Sequence, residues 1–148
     1  SCVTANPDAA GAGVARIAQT FRARRTGQLT SASVFLQSND AGMDFEIEIW
    51  SVNESAAPGA FLARATVADV PLTAFPDSRR LTASFPNPAA VTGGTQYAIV
   101  VTKGDNSSLA VSAGNPCADG NIFYAGEVTD PFFPATTVDL HFETIVTA

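Results

Sequence analysis

Cysteine is scarce in this 148-residue sequence: Cys2 and Cys117 are the only two. Neither stands in C-x-x-C spacing, so a sulfur-rich zinc site has too few ligands. Histidine occurs once, as His141. A Ser-His-Asp triad would have to use it, yet no G-x-S-x-G elbow accompanies it. Bases are few as well, eight Lys and Arg against fourteen Asp and Glu, for a net charge of −6. Nucleic-acid affinity rests on Lys and Arg neutralising phosphates, so no nucleic-acid partner is expected. The same balance disfavours docking on anionic lipid. Long apolar runs are missing too: "YAIVV" (residues 97–101) is far too short to span a bilayer, so no membrane insertion is expected. No basic segment followed by an apolar one opens the chain, and any secretion signal is expected to have been removed already. The segments "GAG" and "TGG" lack a P-loop lysine and a following helix pattern.

What is present is enough apolar material for a core. Hydrophobic residues make up 46% and charged residues 15%, the balance of a globular chain. Its length suits one domain. The two cysteines, far apart in a chain poor in Lys, read as one disulfide tying the N-terminal tail to the "GNPCADGN" loop. In the chain-entropy model such a bond stabilises by about 4 to 5 kcal/mol, and it implies an oxidising, secreted or extracellular location. The competing reading is two buried thiols in a cytosolic protein.

No long segment carries a 3.6-residue apolar period. Short alternating stretches recur instead, parted by Gly, Pro, Asn and Asp clusters. About nine strands are expected: "ARIAQTFRA", "LTSASVFLQ", "MDFEIEIWS", "FLARATVADV", "RLTASF", "QYAIVVTK", "SLAVSA", "NIFYAG" and "TVDLHFETIVT". They predict an all-β, antiparallel, jelly-roll-like two-sheet sandwich. Pro58-Gly59 signals a turn. Residues 1–13 read as an irregular arm and 14–148 as a single domain.

In "MDFEIEIWS" (residues 43–51), Met43, Phe45, Ile47 and Ile49 alternate with Asp44, Glu46, Glu48 and Trp50. The first set is assigned to the core and the second to the outer face. Indole stacks on sugar C–H faces and carboxylates accept from hydroxyls, so Trp50, Glu48, Glu46 and Asp44 form a candidate glycan platform. The preferred alternative has a loop, the N-terminal arm or a neighbouring subunit covering Trp50, and "DPFFPATT" is available for that. Glu46 and Glu48 also make a carboxylate pair of the type glycoside hydrolysis needs, but paired acids on a strand face are ordinarily just solvated. His141 is expected on an exposed polar strand face with Asp139 and Glu143. A metal site through these three would need loop ligands, since same-face neighbours are about 7 Å apart.

Several segments together resemble a family of secreted bacterial cell-surface β-sandwich modules of the "choice-of-anchor" type. They are "IAQTFRA", "LTSASVFL", "FEIEIWS…APGAFLA", "VTGGTQYAIVV" and "VDLHFETIV", spread over most of residues 15–146. The resemblance implies an extracellular jelly roll without established catalytic residues, and it transfers no binding site. The Cys2–Cys117 pair departs from that pattern.

The loops add further candidates. Pro131 and Pro134 bracket Phe132 and Phe133, which in an extended stretch point to opposite sides. One can plug the sandwich end while the other meets a partner. "GDNSS" (residues 104–108) and the Asn115, Asp119, Asn121 group offer hard oxygens to calcium, against the simpler reading as Asx turns. Asn53 and Asn106 stand in N-x-S sequons, which matter only where the source glycosylates. The functional expectation is a non-catalytic extracellular structural module that associates with itself or with other surface proteins. The alternative is a carbohydrate-binding or adhesive module.

Overall fold

The computed structural model describes residues 2, 8–74, 77–103, 107–113, 120–135 and 138–148. Two antiparallel six-stranded sheets form the expected sandwich. The strands are β1 (Asp8–Ala10), β2 (Arg16–Arg22), β3 (Gly27–Ser38), β4 (Met43–Val52), β5 (Pro58–Val70) and β6 (Arg79–Val91). They continue with β7 (Gln96–Thr102), β8 (Ser108–Ala113), β9 (Ile122–Ala125), β10 (Phe133–Ala135), β11 (Val138–Leu140) and β12 (Phe142–Thr147).

In one sheet β3 is central. β6 pairs with one of its edges, while β12 (along residues 28–34) and β8 (at Leu36 and Ser38) share the other. β8 in turn carries β1 and β11. The second sheet runs β10-β9-β2-β7-β4-β5.

Among the described residues twelve strands stand where about nine were expected. β1 and β10 are three-residue edge pieces with no room for an alternating pattern, and pairing with β8 and β9 alone defines them. β1 lies within the arm expected to be irregular. The closing strand is also split at His141, whose N–H donates to the Ala110 carbonyl at 2.9 Å. Immediately after it, Phe142 exchanges two 2.9 Å backbone bonds with Cys2.

Pro58-Gly59 does not form the turn. Asn53 does so, its Oδ1 accepting from the Ser55 and Ala57 N–H groups, with Ala56 at φ +60°. Pro58 instead opens β5. In the β6–β7 turn Gly94 takes φ +87°, a conformation glycine adopts without a Cβ penalty, and the Tyr97 hydroxyl accepts from the Thr92 N–H at 2.9 Å.

Period-2 alternation places the core. Ile17 and Phe21 of β2, Phe45, Ile47 and Ile49 of β4, and Ile99 and Val101 of β7 face inward. They join one cluster with Leu29, Val34 and Leu36 of β3, Leu81 and Phe85 of β6, and Leu140 and Phe142. The polarity read from "MDFEIEIWS" therefore holds, with Phe45, Ile47 and Ile49 all fully buried. A second, smaller cluster lies on the outer face of the β4 sheet. There Ala18, Ala98, Val100 and Phe123 are buried beneath Trp50, Val52, Ala57 and Phe132.

Candidate functional site

Register converts the outer face of the β4 sheet into three parallel rows. Arg64, Glu48, Val100, Ala18 and Phe123 stand side by side across β5, β4, β7, β2 and β9. One row away are Thr66, Glu46, Thr102, Arg16 and Ala125; on the other side are Phe61, Trp50, Ala98 and Thr20. Small residues on β7 and β2 let the long side chains of their neighbours lie flat over the sheet.

The acidic strand face is therefore not a solvated row. Glu48 is 0% exposed. Arg64 donates to its Oε2 from Nε at 2.9 Å and Nη2 at 2.7 Å, and Arg16 Nη2 lies 3.5 Å from Oε1. The hydrogen bond to Glu48, and then the charge of Glu48, raise the pKa of the Arg64 guanidinium further above its ordinary value. Arg16 also donates from Nε to Thr102 Oγ1 at 3.1 Å and stacks over the Trp50 ring at 5.5 Å. Arg64 lies over the Phe61 ring at 5.1 Å.

Trp50 is half-buried. Phe132 meets it edge-on, with ring centroids 6.0 Å apart, so the aromatic at the end of the carboxylate row is covered by the loop available for it. The two phenylalanines do point to different neighbours. Phe132 caps Trp50, while Phe133 packs against Tyr124 at 6.0 Å and stays 50% exposed.

Asp44 and Glu46 remain accessible. Asp44 Oδ1 accepts from the Asp69 N–H at 3.0 Å. With Met43, Thr66, Thr102 and Lys103 they line a shallow open depression of about 520 Å³. Lys103, the chain's only lysine, lends its stem to that depression. Its ammonium turns away, donating to the carbonyls of Gly11, Val14 and Ser107 at 2.6, 2.8 and 2.8 Å.

His141 departs from expectation: it is 2% exposed rather than on an open polar face. Its neighbours Leu140 and Phe142 supply the core, while His141 is covered by Ser112, which it hydrogen-bonds through Nε2, and by the Phe35 ring, which it meets edge-on. Burial lowers its pKa below the ordinary imidazole value. Asp139 is buried too, accepting from Gln19 Nε2 at 3.0 Å, and Gln19 Oε1 accepts from the Leu140 N–H at 2.8 Å. Glu143 pairs with Arg80 at 2.6 Å instead. Asp139, His141 and Glu143 thus do not converge on one ion. Among the described residues no group of three or more His, Cys, Asp or Glu is placed to hold a metal.

Of the calcium candidates, Ser107 gives its carbonyl to Lys103, and the Asn121 carbonyl accepts from the Thr20 N–H while its own N–H donates to Thr20 Oγ1. Residues 104–106, Asn115 and Asp119 lie outside the described residues, as do Cys117 and the Asn106 sequon. Cys2 is buried and is not a free thiol.

Sequence reasoning missed Arg16, Arg64 and Phe61 as members of this face. Their only signal was position in alternating segments whose register could not yet be assigned. Compared with known proteins, the chain matches no family model and no curated sequence.

Proposed function

We propose that this chain is a non-catalytic, extracellular structural module that associates with copies of itself or with other surface proteins. One observation carries the reading. Glu48 and Trp50, two of the four platform residues on the β4 sheet, are packed under neighbouring side chains, while large apolar side chains stand exposed at both edges of that sheet. Glu48 lies between two arginines and Trp50 beneath Phe132. Phe61 (50% exposed) and Leu62 lie on β5, Leu72 just beyond it, and Phe133 on β10 at the opposite edge. Apolar groups gathered at edges mark contacts more than scattered ones do. The burial of Ser112 and His141 away from solvent supports a role without catalysis. An oxidising compartment follows from a Cys2–Cys117 bond, which the buried, non-free Cys2 supports.

The depression beside Asp44 and Glu46 favours a second reading, a carbohydrate-binding module. Two carboxylates and two threonine hydroxyls there suit a polyhydroxyl ligand. Sedimentation over a wide concentration range, run beside a glycan array, separates the two. We expect concentration-dependent oligomers and a blank array. A strict monomer that binds a glycan, and loses it in Glu46→Gln, establishes the second reading instead.

A further inference from the structure

Among the described residues the edges of the sandwich are β1, β6, β10, β12 with β11, and β5, and all but β5 are blunted or short. β12 has six residues, is bulged between Ile145 and Val146 and is bridged by Cys2 at Phe142, and β11 has three. β1 is three residues long, and β10 is three residues with Pro134 at its centre. β6 is long but carries Pro86 and Pro88, which remove ladder donors. β5 differs. It runs for thirteen residues, has no proline after Pro58, and among the described residues has β4 as its only strand partner. Bulges between Phe61 and Ala63 and between Val67 and Val70 interrupt it, and β6 of the other sheet lies alongside. Residues 63–67 nevertheless form a regular stretch whose outer groups no strand pairs among the described residues, a template for another strand.

The ladder shows which groups face outward. The Ala23 N–H bonds the Thr95 carbonyl and the Lys103 N–H bonds that of Ala15, so odd-numbered residues of β7 bond β2. Even-numbered Ala98, Val100 and Thr102 then bond β4 at Trp50, Glu48 and Glu46. By the same alternation Phe45, Ile47 and Ile49 bond Val67, Ala65 and Ala63. The N–H and C=O groups of Arg64 and Thr66 are thus left pointing off the edge of the sheet.

We propose that this edge pairs antiparallel with the same edge of a second copy of the chain, about a two-fold axis at Ala65; this deepens the self-association reading and rests on it. Each Arg64 then exchanges both backbone hydrogen bonds with Thr66 of the second copy, Ala63 lies opposite Val67, and Leu62 and Ala68 come together at the bulges that end the regular stretch. Charge selects this register. An axis at Arg64 would set two guanidiniums opposite each other. An axis at Ala65 instead extends the Glu46–Thr66 row to Arg64 of the second copy. Glu46 has no ion pair within its own chain among the described residues, and across the seam it meets the half-exposed Arg64 that also holds the second copy's own Glu48. Asp69, at φ +52° in the bulge between Val67 and Val70, ends the regular stretch and limits the pairing to one seam. The product is a closed two-fold dimer with a continuous twelve-stranded sheet, not a fibre.

The test is sedimentation equilibrium of the whole chain beside Thr66→Pro and Ala68→Lys. Circular dichroism checks that each variant keeps its strands. Thr66→Pro removes an outward donor without touching the β4 ladder, and Ala68→Lys puts a charge against Leu62 if proline disturbs folding. Loss of two symmetry-related backbone bonds is expected to raise the dimer Kd by roughly tenfold or more. In the unaltered chain the Arg64 and Thr66 amides should exchange more slowly as concentration rises. A dimer of unchanged affinity in both variants overturns the β5 seam and leaves self-association standing elsewhere. A monomer at every concentration overturns both.

Discussion

Glu48 sits in a strand whose alternation assigns it to the outer face, yet it is as buried as the isoleucines beside it. Burying a carboxylate is tolerated only when partners replace its water; here Arg64 hydrogen-bonds Oε2 twice, while Oε1 has the charge of Arg16 at 3.5 Å and no hydrogen bond. Glu48→Ala would leave two guanidiniums over apolar neighbours. Because Arg64 is half-exposed, the cost falls below that of breaking a fully buried pair, about 1 to 3 kcal/mol by urea unfolding. A loss under about 0.5 kcal/mol would show the carboxylate to be solvated. His141 makes a second residue-scale prediction. Its folded pKa lies below the ordinary 6.5 because burial disfavours the imidazolium. As pH falls through 6.5 the unfolded chain takes up a proton that the folded chain resists. Stability is therefore complete above that pH and declines beneath it. Urea midpoints should drop between pH 7.5 and 5.5, and His141→Asn should flatten the drop. An equal drop in that variant would assign it to other groups.

At the scale of elements, β4 organises the sheet that bears the candidate site. Its inward residues lock the register, since a one-residue slip would exchange the core side chains for Asp44, Glu46 and Glu48. Ile47→Ala removes methyl groups from a fully buried position and should cost about 2 to 5 kcal/mol in chemical denaturation. A cost under about 0.5 kcal/mol would mean that the two faces are exchanged. The strands with long alternating patterns were legible in the sequence, β2 to β9 among them. β1 and β10 were not, because three residues carry no period, and the Pro58-Gly59 signal misled because Asn53 offers a stronger local turn. Phe132 was legible as a roof for Trp50 because its flanking prolines hold that stretch extended.

For the molecule as a whole, the N-terminal segment is held in three ways: β1 on β8, Cys2 against Phe142, and the Lys103 ammonium on the Gly11 and Val14 carbonyls. A bond from Cys2 to Cys117 would add a covalent tie to this arrangement. Intact mass without reductant should lie about two hydrogens below the reduced chain, and reduction should lower the melting temperature. Two titratable thiols in freshly isolated protein would remove both the bond and the compartment it implies.

By itself the sequence determined the all-β class, the polarity of its long strands and the core they supply, because period-2 alternation is a local property of the chain. Only the tertiary structure decided that Glu48 lies between Arg16 and Arg64, since those three meet through register across β2, β7, β4 and β5. It also decided that His141 is buried, because Ser112 of β8 and Phe35 of β3 cover it, contacts between strands that the sequence does not reveal. Sheet order likewise places β5 and β6, equally long, each at the edge of its own sheet, with Pro86 and Pro88 in the interior of β6 alone.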